Sequence, residues 1–400
     1  MHEPHQTNPM ETNTERSETF VIVGSGIAAL RAAEEIRKLL PQAALVMIGE
    51  ENALPYYRPA LSKKLLLPQA GERFSLHPPE WYSKRGIFLL SGRRVTRVLP
   101  RAKQLELSNG EVLCYDKCIL ATGAESILPN MEGHSLPGTF VLRALTDYEK
   151  IAHHVRPDMR ATVIGGGALG LEAAWQLYLG GCHVTVLEAA EQLFRGRLPK
   201  NLSDKIIHIA SERGIEIRTD TTVSRLEGNG RVEKVILLGE YLNTDLVLFC
   251  CGSRPRIELA QEAGLDTARG ILVNSRMMTG KYGIYACGDC AQIGRDICGM
   301  WSTAETMGRC AGRNAAGEDT LYHPCPTPLW MDACNTRLFA VGDCGTGDKS
   351  YSVEHHATEG GESYLYYADG KLCGAVLLGD TRQASALLRA IESGKLPNTV

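Results

Sequence analysis

The chain has 400 residues, of which 44% are hydrophobic and 22% charged, and this length predicts two or three globular domains. A formal net charge of −3 and the lack of a long Lys/Arg run exclude an electrostatic footprint for nucleic acid or a membrane surface. No apolar run approaches the roughly 18 residues that would span a bilayer. We therefore expect the protein to remain in the cytoplasm.

The N-terminus and the cysteines point to the same compartment. Residues 1–18 are polar and have no apolar stretch that could serve as the core of a signal peptide, so we expect a disordered tail. The 13 cysteines are an odd number in a chain without a secretion signal. This count predicts reduced thiols in a reducing compartment rather than a disulfide framework.

A strand–loop–helix–strand pattern opens the ordered sequence. The apolar run TFVIV breaks at Gly24-Ser25-Gly26 and continues into a helix with apolar residues three and four apart. Glycines at such a turn allow a pyrophosphate to approach the backbone, and Ala29 occupies the third small position. The acid after the next strand, Glu50 or Glu51, is placed to bind ribose hydroxyls.

The same pattern recurs in the segment ATVIGGGALGLEAAWQLYLGGCHVTVLEAAE. Here Gly165, Gly167 and Gly170 supply the small positions and Glu188 supplies the terminal acid. Two dinucleotide sites in one chain imply two different dinucleotides, because moving electrons between cofactors is the simplest use of such a pair. FAD and a pyridine nucleotide form the obvious combination.

Seven motifs extend this pattern along the chain. They are GSGIAA at 24–29, LPYYRPALSK at 54–63, ATGA at 121–124, LRALTDYEKI at 142–151, GGGALGLE at 165–172, CGSRP at 251–255 and IYACGDCAQI at 284–293. With them the chain resembles the two-dinucleotide-domain flavoproteins. Within that family it resembles the branch of NADH:rubredoxin reductases, ferredoxin reductases of oxygenase systems and the flavin domain of NADH-dependent nitrite reductases.

The resemblance implies an α/β fold with two Rossmann-like, three-layer dinucleotide-binding domains and a small C-terminal α+β domain. After the tail at 1–18, residues 19–125 and 253–317 would form the FAD-binding domain. Residues 126–252 would form the NAD-binding domain. Residues 318–400 would form a C-terminal interface domain, which begins at a Pro-rich stretch after the helix that ends at Gly317.

The resemblance also implies a set of FAD contacts. The first glycine motif would hold the pyrophosphate, and Glu50, preferred to Glu51 by its interval from LSK, would bind the ribose. The backbone at Val95 would meet the adenine, Asp289 would bind the ribityl chain and Trp301 would lie against the isoalloxazine. The complete set is Gly24, Gly26, Ala29, Glu50, Arg58, Lys63, Val95, Thr122, Gly123, Arg143, Asp289 and Trp301.

For NAD, the resemblance implies contacts from Gly165, Gly167, Gly170, Glu172, Glu188 and Gly252. A carboxylate at Glu188 accepts the ribose hydroxyls of NADH and repels the 2′-phosphate of NADPH, so NADH is favoured. Arg195 and Arg197, which could serve a 2′-phosphate, are interpreted as ordinary surface charges.

Lys63 and Glu172 are the candidate catalytic residues, since the resemblance places them near the flavin and the nicotinamide. A lysine–carboxylate pair there could stabilise negative charge on a reduced flavin. The disulfide reductases of this superfamily carry a CxxxxC pair after the first nucleotide unit, whereas here the region reads YYRPALSKKLLL and the first cysteine is Cys114. Cys287 and Cys290 are interpreted as space-filling residues beside Asp289, and no metal is implied.

The last eighty residues predict antiparallel strands, with a turn at Asp369-Gly370, followed by a closing helix. His355 and His356 are interpreted as solvated loop residues. In the resembling families this region contributes to a subunit or partner contact, so a homodimer is possible. The favoured function is an NADH-dependent reductase of a small rubredoxin- or ferredoxin-class carrier. The alternatives are an NADH oxidase that reduces oxygen directly and a non-catalytic NADH-sensing flavoprotein.

Overall fold

The architecture was derived from a computed structural model, which describes residues 18–67, 70–297, 299–347 and 349–394. The tail predicted for residues 1–18 therefore lies outside the described residues, apart from residue 18. No helix in the described ranges is long and apolar enough to cross a membrane.

The N-terminal part of the chain forms a parallel sheet, a helical layer and a small antiparallel sheet. Its elements are β1 (Thr19–Val23), α1 (Ile27–Leu39), β2 (Ala44–Gly49), α2 (Ala60–Lys63), α3 (Ala70–Arg73), α4 (Pro79–Lys84), β3 (Ile87–Ser91), β4 (Val95–Leu99), β5 (Gln104–Leu107), β6 (Val112–Cys114), β7 (Lys117–Leu120) and β8 (Ala124–Ser126).

The middle of the chain repeats this plan. Its elements are β9 (Thr139–Val141), α5 (Leu145–His154), β10 (Arg160–Ile164), α6 (Ala168–Leu179), β11 (His183–Leu187), α7 (Lys200–Glu212), β12 (Glu216–Arg218), β13 (Arg225–Glu227), β14 (Lys234–Ile236), β15 (Tyr241–Asn243) and β16 (Leu246–Phe249).

After the middle part, the chain returns to the first sheet. The returning elements are β17 (Ser253–Pro255), α8 (Glu258–Glu262), β18 (Ile271–Leu272), β19 (Ile284–Ala286), a 3₁₀ turn (Gly288–Cys290), β20 (Ala291–Gln292) and α9 (Trp301–Ala315). The two-stranded ladder of β8 and β17 carries the chain out of the first unit and back into it.

The two large parallel sheets have equivalent strand orders, β19-β7-β1-β2-β3 and β12-β11-β10-β16-β9. In each sheet, the strand that precedes the glycine loop is central. The strands that follow it in the chain are added first on one side of this strand and then on the other. Ligands of such open sheets bind at this switch point, beyond the carboxyl ends of the strands. The central strands bury nearly every residue, as expected when layers cover both faces of a sheet.

The C-terminal unit comprises β21 (Leu329–Ala333), β22 (Thr336–Gly342), β23 (Ser352–Thr358), β24 (Gly361–Ala368), β25 (Lys371–Leu378) and α10 (Ala384–Ser393). Its strands form one antiparallel sheet in the order β21-β22-β25-β24-β23. One face of this sheet packs on α10. The other face joins the hydrophobic core of the middle unit through residues such as Met331 and Tyr366.

This arrangement confirms the predicted fold class: two three-layer Rossmann-like units and a small α+β unit. Two local predictions need correction. His355 and His356 lie on β23 and not in a loop, because β24 offers a full ladder of partners. Helix α9 ends at Ala315, before the turn at Gly317 where φ is +95°.

Candidate functional site

Two helix N-termini face the switch points of the two sheets. In the first, Gly24 has a φ of +129°, and a Cβ there would lie 2.1 Å from the carbonyl oxygen of Ala121, so the turn requires glycine. Nothing lies within 4 Å of the position that a Cβ of Gly26 would take. The space before α1, whose N-cap Gly26 has no side-chain capping bond, therefore fits a pyrophosphate.

The second turn has the same construction. Gly165 has a φ of +113° and its missing Cβ leaves room for the carbonyl of Cys250, while the position beyond Gly167 is open. Gly170 packs against Gly165, whose carbonyl oxygen would lie 2.0 Å from an added Cβ. Ala29 is fully buried at the corresponding point of α1. The third small position in both copies thus serves helix-to-sheet packing.

Glu50 lies exposed at the end of β2, where the fold brings several of the predicted residues together. Its carboxylate accepts hydrogen bonds from Arg256 at 2.8 Å and from Arg94 at 3.4 Å. The hydroxyl of Thr122 donates to the carbonyl of Arg256, and the Arg256 amide donates to Gly123. This group fits an adenosine ribose at the strand end.

Val95 lies next to this group. The preceding residues 92 and 93 donate backbone hydrogen bonds to Glu51 and Gly49, which holds the start of β4 against the end of β2. The Val95 side chain is buried.

Ion pairs and hydrogen bonds connect Glu51 to Asp289 through Arg58 and Arg143. Glu51 accepts hydrogen bonds from Arg58 at 2.7 Å, from the hydroxyl of Tyr56 at 2.9 Å and from the amide of Leu145 at 3.1 Å. Burial opposes ionisation of Glu51, but the Arg58 guanidinium and these bonds hold the pKa of its carboxyl below the usual value. Glu51, the alternative to Glu50 as the ribose acid, is thus occupied by protein donors, whereas Glu50 lies exposed at the strand end.

Arg58 and Arg143 are tied to each other and to the 3₁₀ turn. Arg58 donates to the carbonyl of Arg143, and Arg143 pairs with Asp289 at 2.6 Å. Arg143 also donates to the carbonyl of Ala124. Both arginines are therefore engaged by protein groups and are not free surface charges.

Asp289 lines an open cleft of about 670 Å³. Its lining residues include Ala124, Arg254, Pro255, Glu258 and Gly299. At the N-terminus of α9, which starts beside it, the ring of Trp301 contacts Tyr57 edge to face, with 5.0 Å between centroids. The cleft and this aromatic pair provide room and an apolar wall for a large planar ligand.

Glu188 lies at the end of β11, as its motif predicts. Its carboxylate accepts hydrogen bonds from the amides of Gly166 at 2.7 Å and Ala190 at 2.9 Å. Arg195 and Arg197 are exposed, and the Arg197 guanidinium donates to the carbonyl of Thr327. Glu188 is thus positioned and negatively charged where a ribose would meet the second turn. Gly252, with a φ of +93°, follows at the start of the connection to β17.

Glu172 joins all three units. It is only 4% exposed on α6, and its carboxylate forms an ion pair with Lys63 on α2. The same carboxylate accepts hydrogen bonds from the hydroxyl of Ser62 at 2.5 Å and from the amide of Asp332 on β21 at 3.1 Å. A buried carboxylate needs this degree of pairing. It holds the lysine at the junction between the two nucleotide-binding units.

The sequence did not predict Ser62, Arg256 or the Asp332 amide, and it suggested Glu51 only as the alternative ribose acid. Ser62 and Arg256 stand inside or beside motifs already noted, ALSK and CGSRPR, so their polar side chains were an available signal. Asp332 had none, because its contribution is a backbone N–H 160 residues from Glu172. Only tertiary packing brings such a donor to the site.

The cysteines of the CxxC sequence are fully buried. Burial raises the pKa of the Cys287 and Cys290 thiols, and Cys290 donates to the carbonyls of Leu120 and Cys287. High pKa values make these thiols poor nucleophiles. No group of three or more His, Cys, Asp or Glu residues suited to a metal ion occurs in the described ranges.

This fold and these paired sites define a class of protein with two dinucleotide-binding domains. Residues 18–308 match the model of the pyridine nucleotide-disulphide oxidoreductase family, and residues 331–395 match the rubredoxin NAD+ reductase C-terminal domain. The chain belongs to the pyridine nucleotide-disulphide oxidoreductases. It is an oxidoreductase with FAD and NAD as cofactors.

Several relatives align over nearly the whole chain. The ferredoxin–NAD(+) reductase component of the anthranilate 1,2-dioxygenase system of Burkholderia cepacia is 32% identical, covering 96% of both chains. The rubredoxin-NAD(+) reductase of Pseudomonas putida is 29% identical over 82% of this chain and 88% of its own. A solved putidaredoxin reductase–putidaredoxin complex gives a TM-score of 0.87 at 27% identity, covering 95% of this chain and 94% of the other.

Proposed function

We propose that the protein is an NADH-dependent, FAD-containing reductase that passes electrons to a small carrier protein of the ferredoxin or rubredoxin class. The names of the relatives support the carrier: they include reductases of dioxygenase ferredoxins and of rubredoxin. The two open glycine turns support the pair of cofactors. When bound, FAD takes up two electrons from a reduced nicotinamide and can release them one at a time.

The observation that carries this proposal is the Lys63–Glu172 ion pair at the junction of the units. Disulfide reductases of the superfamily place a cysteine pair in this region of the sequence. Here residues 56–67 read YYRPALSKKLLL, without a cysteine. Lys63 supplies a fixed positive charge instead, so electrons would leave the flavin for an external carrier without a dithiol relay.

In this proposal the N-terminal and returning segments, 19–125 and 253–317, bind FAD, and residues 126–252 bind NAD. Residues 318–400 form an interface domain. Glu50 would bind the adenosine ribose of FAD, the amide of Gly26 at the start of α1 would hold its pyrophosphate, and Asp289 would hold its ribityl chain. Lys63, kept in place by Glu172, would stabilise negative charge on the reduced cofactor. Trp301 and Tyr57 would help to exclude water from the site.

The cofactor preference and the compartment follow from local features. Glu188 supports NADH, because its carboxylate would lie against a 2′-phosphate of NADPH and the Arg197 guanidinium is engaged elsewhere. We place the protein in the cytoplasm. No disulfide joins any of the cysteines in the described ranges, which suits a reducing compartment.

One relative supports a second function. A protein of Methanocaldococcus jannaschii named NADH oxidase is 30% identical over 83% of this chain and 77% of its own. Direct reduction of oxygen would need no carrier. It would therefore leave oxygen consumption tightly coupled to NADH oxidation.

An anaerobic titration of the yellow holoprotein tests the proposal. We expect NADH to bleach the flavin absorbance stoichiometrically and NADPH to do so far more weakly. A small ferredoxin or rubredoxin should then reoxidise the flavin within seconds. A protein that NADH does not bleach would contradict the reductase and favour a sensing role, and oxygen uptake equal to NADH consumed, without acceleration by a carrier, would favour the oxidase.

A further inference from the structure

Strand β3 is the outer strand of the first parallel sheet. Within the described ranges it pairs only with β2, and its sequence, IFLLS, contains neither a charged residue nor a proline. Phe88 is 67% exposed, and the next three residues are partly exposed. Proteins commonly protect an edge strand from pairing with charges or proline. Strand β3 lacks both kinds of protection.

The other edges of the two parallel sheets are shorter. Strand β19, at the opposite edge of the first sheet, has three residues, all of them buried. Strands β12 and β9, at the two edges of the second sheet, also have three residues each. With five residues, β3 offers the longest row of backbone groups among these four edge strands.

Two hydrogen bonds show how the backbone groups of β2 are directed. The carbonyl of Ile48 accepts the amide of Gly24 on the side of β1, whereas the carbonyl of Gly49 accepts the amide of Arg93 on the side of β3. Alternate residues of a strand direct their N–H and C=O groups to opposite sides. The backbone groups of Val46 therefore face β1, like those of Ile48.

This alternation identifies the free groups of β3. In a parallel ladder, a residue that bonds to the neighbouring strand lies opposite a residue whose own groups face away. Phe88 lies opposite Val46 and therefore bonds to β2. Ile87, Leu89 and Ser91 then direct their N–H and C=O groups outward, where no other backbone group in the described part of the chain bonds to them.

Both ends of β3 are basic, although the whole chain has a formal net charge of −3. Residues 81–103 include seven Lys or Arg residues and no Asp or Glu. Lys84 and Arg85 precede the strand, Arg93 and Arg94 follow it, and all four are exposed. Among the described residues, none forms an ion pair with Lys84 or Arg93. These two charges are therefore available to an anionic partner.

We propose that the outer edge of β3 binds an extended acidic segment of a partner protein, which adds to the five-stranded sheet as a further strand. In this mode of binding, main-chain hydrogen bonds provide affinity and side chains provide specificity. Phe88 packs against an apolar side chain of the segment, and the basic ends of β3 select acidic residues on both sides of it. A lipid surface or a nucleic acid would use the charges but leave the outward backbone groups unpaired.

The proposed strand lies far from the cleft at Asp289. Strand β19, which leads to Asp289, and strand β3 are at opposite edges of the sheet, and four strand spacings separate them by about 19 Å. We therefore expect NADH-driven flavin reduction to proceed at the same rate with the segment bound. This inference is independent of the proposed function.

Fluorescence anisotropy with the FAD-loaded full chain tests the proposal. The probe is the fluorescein-labelled peptide Asp-Asp-Val-Thr-Val-Asp-Asp. The charge-matched control is Asp-Asp-Val-Pro-Pro-Asp-Asp, whose adjacent prolines remove a main-chain donor in either register. We expect saturable binding of the probe that weakens with added salt and is at least about tenfold tighter than binding of the control. A probe that does not bind, or binds no better than the control, would overturn the proposal.

Substitutions at Leu89 test the strand pairing. Leu89→Pro removes one outward N–H and no bond to β2, and proline is tolerated at such a position of an edge strand. It should weaken probe binding at least about tenfold, whereas Leu89→Val, which keeps the N–H, should bind as wild type. Flavin content reports folding, and the two peptides decide the matter if Leu89→Pro loses its flavin. Undiminished binding by flavin-loaded Leu89→Pro would refute strand pairing.

Charge variants test the choice of an acidic partner. The double variant Lys84→Glu, Arg93→Glu should weaken probe binding about tenfold. Lys371→Glu, at an exposed position of the C-terminal sheet, is the control and should bind as wild type. A double variant that binds as tightly as wild type would contradict the role of the basic ends. Wild type that sediments with phosphatidylglycerol vesicles but does not bind the probe would assign this surface to lipid and overturn the proposal.

Discussion

Two glutamates of the second nucleotide-binding unit lie in very different environments. Glu188 lies at a strand end and accepts hydrogen bonds from two backbone amides. Because no basic side chain neutralises it in these contacts, its carboxylate can also accept hydrogen bonds from a ribose. Glu172 is buried on a helix and neutralised by Lys63. The motif alone predicts ribose binding by Glu188 better than the ion pair of Glu172. The reason is that the burial and pairing of Glu172 depend on residues of the neighbouring units.

Glu172→Gln tests the charge at the junction. The amide oxygen can still accept the Asp332 N–H and the amide NH2 can donate to the Ser62 hydroxyl, so the fold should persist, while Lys63 loses its counter-ion. We expect NADH-driven flavin reduction to slow on the order of 100-fold, measured by anaerobic stopped-flow absorbance. Glu106→Gln, which breaks the exposed pair with Arg97, is the control and should leave the rate unchanged. An unaltered rate in Glu172→Gln would remove the pair from the catalytic proposal.

Glu188→Ser tests the cofactor preference. Loss of the carboxylate removes the ribose acceptor for NADH and the repulsion of NADPH, so the ratio of kcat/KM for NADH over NADPH should fall about 10- to 100-fold. Arg195→Ala is the control, and its ratio should match wild type. A large effect of Arg195→Ala would show that this arginine binds the nucleotide and is more than a surface charge.

At the scale of elements, the first unit is closed by the contact of α1 with α9, which is far away in sequence. Gly308 and Gly312 allow this contact: a Cβ at either would lie 2.2 or 2.4 Å from a backbone oxygen of α1, at Ala28 or Ala32. Glu35 on α1, only 6% exposed, pairs with Arg313 and Arg309 on α9. Small residues and one buried acid thus set how closely the returning helix packs.

Gly308→Ala should destabilise the fold by about 1–3 kcal/mol, because the added methyl forces two backbones apart. Thermal or urea unfolding of the holoprotein measures the effect. Thr306→Ala, on the exposed side of the same helix, should change the free energy of unfolding by no more than about 0.5 kcal/mol. Equal stability of Gly308→Ala and wild type would show that the helices can separate without cost.

At the scale of the whole molecule, polar links hold the C-terminal unit to the middle one. Glu172 receives the Asp332 amide, Arg197 donates to Thr327, and Lys205 on α7 pairs with Glu362 on β24. Hydrogen bonds from Lys205 and Tyr364 lower the pKa of the Glu362 carboxyl to about 2. This link therefore depends on pH.

The folded pKa of Glu362 lies below its ordinary value, so its stabilisation is present above about pH 4.5 and is lost as the pH falls towards about 2. Glu362→Gln should be less stable than wild type at pH 7, and the difference should shrink as the pH is lowered through this window. Urea unfolding between pH 7 and pH 3 measures it. A difference that stays constant with pH would assign the effect to packing and not to charge.

The two nucleotide-binding units, their order in the chain and the fold class could be predicted from the amino-acid sequence. Glycine spacing, strand periodicity and terminal acids are local signals, since turn geometry and helix-to-sheet packing act within about thirty residues. Lys63 and Glu172 were also within reach, because each stands directly in a motif. The C-terminal hairpin at Asp369-Gly370 was readable for the same reason.

The contacts between these parts could not be predicted from the sequence and became visible in the folded chain. It separated Glu51, which holds Arg58, from Glu50 at the open strand end. It brought the Asp332 amide to Glu172 and placed His355 and His356 on an exposed edge strand. Such contacts join residues that are far apart in the chain, through backbone groups and through the order of the strands. The local pattern of side chains predicts neither the backbone contacts nor the strand order.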